Sequence, residues 1–326
     1  MTAPKLGIEL SKKTLEVALI RDPEPMKANQ RPFSNPPAGV QDLQNWLAKH
    51  GVNRVHAVLE APGAEGDALA ESLDAAGHQV SSGNPAHIKA FGHSELQRNQ
   101  TDRADGGLIA RLAWRHHPAP GTPPEPEHPE LQSLVRPLDA LIKPRTQVRT
   151  RLSEGRRTEA VGESWEKVLH SLKERIADVT MPINRHFEDP PGLQRQRELL
   201  DSIPGIGPET AARLRAELPQ PGEFDAARAA AAHPGLTPKR HPSGTSIQAP
   251  TRMSKLGTPR IRDALDLPAM AALRSSREFK ELAARLTERG KKKMQILAAA
   301  MHKLVRIAYG VVKNQRPYDP TYAAAV

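Results

Sequence analysis

KLGIELSKKTLEVALI, residues 5–20, governs how the rest of the chain is read. Residues 6–10 and 14–20 are short apolar and β-branched runs on either side of a polar SKK turn, the pattern of a hairpin. Glu9 interrupts the first run. A carboxylate among apolar strand neighbours is expensive to bury unless it is paired, hydrogen-bonded or bound to a metal, so it is either a surface residue at a strand end or part of a site. Working outward, residues 55–59 form a third strand ending at Glu60, residues 67–76 have helical periodicity, and a short strand lies near Val80. Residues 86–91 suit a short helix. Residues 102–116 read as a helix carrying Leu108, Ile109 and Leu112, weakened in propensity by Gly106 and Gly107. Strands mixed with helices in this order predict an α/β sheet domain.

At 326 residues the chain has room for two domains, and 38% hydrophobic residues supply ordinary cores. It contains no cysteine, which excludes disulfides and thiolate metal sites and fits a reducing compartment. No apolar signal segment opens the chain, and no run approaches the roughly 20 apolar residues of a membrane span. A cytoplasmic protein without membrane contact is expected. The formal charge of +10 is unevenly spread: residues 239–316 hold 18 Lys or Arg against 5 Asp or Glu. A cationic last third favours a polyanionic partner, and 3% aromatics argue for backbone and groove contacts over a stacking platform.

Six prolines between Pro118 and Pro129 forbid a continuous helix or central strand and predict a linker over 118–130. The expected division is a first domain over 1–117, that linker, a helical or coiled-coil segment over 131–190, and a mostly α-helical domain over 191–326. Within the segment, residues 131–152 and 164–179 read as polar helices with narrow apolar stripes, suiting an antiparallel pair or an intersubunit coiled coil. The following RELLDSIPGIGPETAARLRAEL, residues 197–218, fits a helix-hairpin-helix. Gly205 and Gly207 would permit close approach, and the N–H groups at the helix start could hold a phosphate. Packing between the two helices is the competing role for these glycines.

Several motifs in order carry a family resemblance. GIELSKKTLEVAL, LEAPG at 59–63, NPAHIKAFGHSELQRNQTDRADGGLIA at 84–110, SIPGIGPETAARLRAEL, HPGLTPKRHPSGTS, RMSKLGTPRIRDAL, GKKKMQILAAAMHKL and PYDP span nearly the whole chain. Together they resemble the DEDD-type insertion-sequence transposases, a family that includes pilin-inversion recombinases and bridge-RNA-guided recombinases. The resemblance implies a ribonuclease H-like (Holliday-junction-resolvase-like) first domain with Glu9, Glu60, Asp102 and Asp105 as its four catalytic carboxylates. It departs from the family pattern at Glu9, where Asp is expected, at Gln100, where many relatives carry Lys, and at Gly106, where Ala is usual.

The acids also make chemical sense by themselves. Asp102 and Asp105 are three apart on a helix and project from one face, and a sheet can bring Glu9 and Glu60 to the same mouth. Four oxygen donors suit Mg²⁺, or Mn²⁺, in metal-assisted phosphodiester chemistry. Such i,i+3 acidic pairs are also common on solvated faces.

The resemblance assigns the nucleophile to Ser243, the Ser of a Ser-Gly pair in RHPSGTSIQAPTRMSK, residues 240–255, with Ser246 as second choice. Read as a loop alone, these hydroxyls would simply turn or cap the chain. Lys239, Arg240, Arg252, Lys255, Arg260 and Arg262 would hold the strand being cut. Lys291, Lys292 and Lys293 either clamp nucleic acid or open a solvated helix. His116, His117, His233 and His241 form no metal spacing. By the same resemblance the partners are donor and target DNA, a noncoding bridge RNA, and further copies forming dimers that assemble to a tetramer. Two other readings stay open: a structure-selective nuclease using water, and a catalytically impaired relative that only binds nucleic acid.

Overall fold

The computed structural model describes residues 3–323 apart from 12, 23–25, 35–37, 61–63, 96–101, 122–126, 155–157, 189–190, 225, 240–241, 244–246 and 249–251. The chain divides into two compact units, residues 1–125 and 126–326.

The first unit is built on β1 (Lys5–Leu10), β2 (Thr14–Ile20), β3 (Asn29–Ser34), β4 (His56–Glu60) and β5 (Gln79–Gly83), with helices α1 (Ala38–Lys49), α2 (Ala64–Ala75), α3 (Pro85–Ser94) and α4 (Asp102–His116). The sheet order is β3-β2-β1-β4-β5. The first three strands form an antiparallel meander, whereas β1–β4 and β4–β5 are parallel. Parallel pairs need crossovers, and α1 and α2 supply them. Leu6, Ile8, Ala57 and Leu59 face Leu43, Trp46, Leu47, Leu69 and Leu73 of α1 and α2. On the opposite face, Val58 packs with Ile88 and Phe91 of α3 and with Leu108, Ile109, Leu112 and Ala113 of α4. The expected α/β sheet covered on both sides is therefore present.

Two elements fall outside the sequence expectation. β3, NQRPFS, buries only Phe33 and carries Pro32, which is tolerated because this strand forms the sheet edge. α1 presents Val40, Leu43, Trp46 and Leu47 at helical spacing, a pattern that becomes meaningful only once a sheet lies beneath it.

The second unit contains α5 (Glu127–Ser153), α6 (Glu159–Glu188), α7 (Pro191–Asp201), α8 (Pro208–Glu217) and α9 (Ala227–Ala232). Short strands β6 (Pro238–Lys239), β7 (Pro242–Ser243), β8 (Ile247–Gln248) and β9 (Arg252–Met253) follow. The chain continues through α10 (Pro259–Ser275), α11 (Arg277–Glu288), α12 (Lys293–Asn314) and α13 (Pro320–Ala323). α5 begins at Glu127, inside the stretch expected to be linker. Pro129 is accommodated because N–H groups in the first helical turn have no partner within the helix. Part of the expected linker is also anchored to the first unit: Gly121 donates to the Val80 carbonyl at 2.7 Å, and Ser81 Oγ donates to that of Ala119 at 2.8 Å.

α5 and α6 are an antiparallel pair, since Arg151 lies over the Trp165 ring at one end while His186 meets Glu130 at the other. α6 runs well past the expected 164–179. Leu131, Val135 and Leu138 of α5 and Ile176, Ile183 and Phe187 of α6 share a core with Leu193, Ala212 and Ala216 from α7 and α8. A larger core joins α7–α12 around Leu265, Phe279, Leu304 and Val305. Among the described residues, no helix is long and apolar enough to cross a membrane.

Candidate functional site

The register of β1 against β4 pairs Gly7 with Val58 and Ile8 with Leu59, so one step further brings Glu9 beside Glu60 at the carboxyl ends of two parallel strands. Alternate residues of a strand share a face. Because Ile8 and Leu59 point to α1 and α2, Glu9 and Glu60 turn to the other side, the α4 side, with Gly7 and Val58.

The direction of α4 follows from its crossing points. A Cβ on Gly106 would stand 2.7 Å from the Glu16 carbonyl oxygen, and Glu16 is the cross-strand partner of Glu9. One on Gly7 would stand 2.9 Å from Ala110 Cα and closer still to Ala110 N and Gly106 O. Farther along, Ala110 and Trp114 pack on Ala18 and Ile20, toward the start of β1. The helix thus runs antiparallel to β1. Its first turn, with Asp102 at residue one and Asp105 beside Gly106, lies at the end where Glu9 and Glu60 emerge.

Glu9, Glu60 and Asp105 are each half-buried, and Oε2 of Glu9 is shut off from solvent. The Asp102 side chain lies outside the described part of the structure. Among the described residues, no three His, Asp or Glu side chains gather closely enough to hold an ion, so a complete donor set would need Asp102. In donor chemistry the residues suit a hard divalent cation: all are carboxylates, no thiol competes, and the glycine contacts let the acid-bearing helix sit directly on the sheet.

A polar chain at the opposite end of the same face had no sequence signal. Lys5 Nζ donates to His56 Nδ1 at 2.9 Å, which leaves the proton on His56 Nε2, facing Ser81 Oγ at 2.7 Å. Ser81 then donates to Ala119 O. Lys5, His56 and Ser81 are only 6%, 3% and 3% exposed. Burial, followed by the charges of Lys5 and His117, pushes the His56 pKa down to about 4, and burial also lowers that of Lys5. This neutral imidazole joins three strands to the segment after α4.

In the second unit the serine motif is a nested hairpin. β6 pairs with β9, Lys239 opposite Arg252, and β7 pairs with β8, Ser243 opposite Ile247. The side chains of Lys239, Ser243 and Arg252, and all of Arg240, His241 and Ser246, lie outside the described part of the structure. The hairpin base is tightly laced. Ser254 N donates to Thr237 O at 2.9 Å and Lys255 N to Gly235 O at 3.0 Å. Gly235, Lys255 and Gly257 all have positive φ. Arg262, expected to grip a strand, has Nη1 donating to the carbonyls of Pro234 at 2.6 Å and Gly257 at 3.2 Å, so it braces this base from α10. Arg260 approaches Glu217 at 3.6 Å.

The PGIGP hairpin joins α7 to α8 as expected. Gly205 has φ +86°, and a Cβ there would lie 3.1 Å from Ala272 N and closer to Pro268 O, so packing against α10 already accounts for this glycine. Gly207 caps α8 with open space around it. Sequence reading also missed a buried ionic network. Glu217 is bound by Arg136 at 3.1 Å as well as by Arg260, and Arg215 donates to His128 Nδ1 at 2.8 Å. Burial, then Arg215 and Arg136, pushes the His128 pKa down to about 4.

Known proteins resemble this chain in sequence. A DEDD-type transposase model of the IS110 group matches residues 6–154, and a second model, described as Transposase IS116/IS110/IS902 family, matches residues 197–284. The chain is 28% identical over 326 residues to the pilin gene-inverting protein of Moraxella bovis, covering 98% of both chains, and equally similar to that of Moraxella lacunata. It is 27% identical over 218 residues to the transposase for insertion sequence element IS1111A of Coxiella burnetii, covering 59% of this chain and 58% of that protein. These matches carry the ribonuclease H-like fold to the first unit. The chain belongs to the DEDD-type IS110 family of DNA transposases and recombinases.

Proposed function

We propose that the protein cuts and rejoins DNA through a covalent serine intermediate, with Glu9, Glu60, Asp102 and Asp105 as the acidic centre. The observation that carries this reading is the convergence of β1, β4 and the first turn of α4 on one end of one sheet face. The four carboxylates would hold Mg²⁺ or Mn²⁺, which neutralises phosphate charge and favours departure of the leaving oxygen. Ser243 Oγ attacks the phosphorus, an Oγ–P bond forms, and the bond from phosphorus to one deoxyribose oxygen breaks. The serine proton ends on the departing oxygen as a hydroxyl. Because the phosphoserine link conserves the ester bond, a hydroxyl from another strand reverses the step and reseals the DNA.

The braced hairpin base supports a positioned rather than a mobile Ser243. Lys239, Arg240, Arg252, Lys255 and Arg260 hold the phosphate backbone beside it, with the glycine hairpin at Gly205 and Gly207 contributing N–H groups. Site choice by a bridge RNA, and assembly of dimers into a tetramer, complete the proposal. The Moraxella relatives are named for inverting a gene, so inversion between two sites is an outcome of this chemistry as well as transposition.

The test uses a cognate substrate taken from the flanks of the gene, with Mg²⁺. Wild type forms a protein–DNA adduct that survives denaturation, and Ser243→Ala loses both adduct and cleavage. Cleavage that persists in Ser243→Ala would instead establish a nuclease using water. Binding without cleavage by wild type would establish an impaired relative. Sequencing RNA that copurifies with the protein tests the guide.

A further inference from the structure

We infer that the α11–α12 hairpin is a separate DNA-binding finger whose basic tip grips the phosphate backbone of duplex DNA. The inference needs only that the protein handles DNA, and does not rest on the role of Ser243. Glu278 pairs with Lys303, and Lys303 lies 5.8 Å from the centre of the Phe279 ring, so the start of α11 sits against the middle of α12. From there the helices run antiparallel to a turn at residues 289–292. Phe279 is the one buried residue of α11, and burial on α12 begins at Ile296. Leu282 of α11 and Leu297 of α12 still reach that core, and residues 287–295 across the turn are all exposed, so the basic tip stands just beyond the core that anchors the hairpin.

The tip is rigid. Gly290, at φ +69°, donates to Thr287 O at 2.8 Å and Lys291 N to Leu286 O at 3.0 Å, the paired bonds of a Schellman cap. On the other side, Lys292 N donates to Gln295 Oε1 at 2.9 Å. Arg285, Arg289, Lys291, Lys292 and Lys293 are all exposed there, opposed in that stretch only by Glu288. Among the described residues, none of the five forms an ion pair, while the other two carboxylates of α11 are taken by Lys303 and Arg277. Lys291, Lys292 and Lys293 are consecutive cations at the start of α12, where adjacent positive charges repel. A polyanion is the partner that would offset the repulsion.

The tip favours a duplex over single-stranded nucleic acid. Residues 280–295 contain no aromatic side chain on which an unpaired base could stack. The 17-residue α10 separates the serine hairpin, at its start, from the finger, beyond its end. That is about 25 Å of helix. The finger therefore adds a contact along the DNA rather than a group at the cut.

The full-length protein, with a random-sequence DNA duplex in a fluorescence-anisotropy titration, tests this. Replacing Lys291, Lys292 and Lys293 together with Gln is expected to lower the slope of log affinity against log salt by about 2–3 and to weaken binding by roughly 100-fold near 0.1 M salt. The matching triple Lys→Arg variant should bind like wild type. A control of equal charge change, Lys27→Gln with Lys49→Gln and Lys173→Gln at exposed positions, should lower the slope by less than about 1. An unchanged slope in the tip variant, or an equal loss in the control, would overturn the inference. So would weakened binding of an RNA of the same length with DNA binding intact. Strand cleavage measured at saturating protein reports on the serine chemistry separately, and the tip variant should retain it.

Discussion

Gly7→Ala is the sharpest probe of how the acidic centre is assembled. The added methyl would lie 2.9 Å from Ala110 Cα and nearer to two backbone atoms of α4, none of which can swing aside as a side-chain tip could. Restoring ordinary contact lifts the helix from the sheet by about 1 Å, an overpacking that costs roughly 1–3 kcal/mol. Asp105 is next to Gly106, one of the residues struck, so it moves with the helix while Glu9 and Glu60 stay with the strands. A misplacement of about 1 Å in a reacting constellation costs about 100-fold in rate. The assay is single-turnover cleavage of a cognate duplex in Mg²⁺, with a thermal melt of each variant. Ile8→Val is the control. It removes a methylene from the opposite face and destabilises by about 0.5–1.5 kcal/mol without touching α4. Cleavage should fall about 100-fold in Gly7→Ala and by less than about threefold in Ile8→Val. Cleavage within threefold of wild type for a folded Gly7→Ala would refute the coupling between the seating of α4 and the site.

Glu9→Ala should abolish cleavage with little loss of stability, because the residue is only half-buried at a strand end. Glu9→Asp distinguishes two histories: a faster enzyme marks an imperfect site, and a slower one marks a centre adjusted to the longer side chain. If both variants cleave like wild type, Glu9 is not part of the site. Acid sensitivity is expected from His56. Its folded pKa of about 4 lies below the ordinary 6.5, so the unfolded chain binds more protons between those values. Relative to pH above about 6.5, stability therefore falls as the pH drops from 6.5 toward 4, the loss amounting to about 2 kcal/mol at pH 5. Denaturant melts at pH 7 and 5 should show His56→Gln losing less stability on acidification than wild type, and equal losses would exclude this residue as a source.

Local pattern alone was enough for the elements with clean periodicity. The β1–β2 hairpin, the strand ending at Glu60 and the helix over 102–116 all read from spacing, because a strand repeats every two residues and a helix about every 3.6. Glu9 and Glu60 stood out for the same reason, each sitting where an apolar run ends or is interrupted; Asp102 and Asp105 were picked out by the motif resemblance. The glycine-bounded turn between α7 and α8 was equally plain, since only a few residue types tolerate such a backbone.

Packing decided the rest. Gly106 looked like a weakness in α4, yet the close approach to Glu16 O makes it a requirement. Arg262 looked like one of several cations for DNA, but two carbonyls converge on it only after residues 234 and 257 meet at the hairpin base. His56 and Ser81 are 25 residues apart, and Arg136 and Glu217 are 81 apart. Neither pair leaves a periodic trace. Composition thus determined the charge polarity, and the ordered motifs determined the family. The direction of α4, which puts its first turn at the end of the sheet where Glu9 and Glu60 emerge, came only from the folded sheet, because which backbone a glycine must admit depends on residues about a hundred positions away.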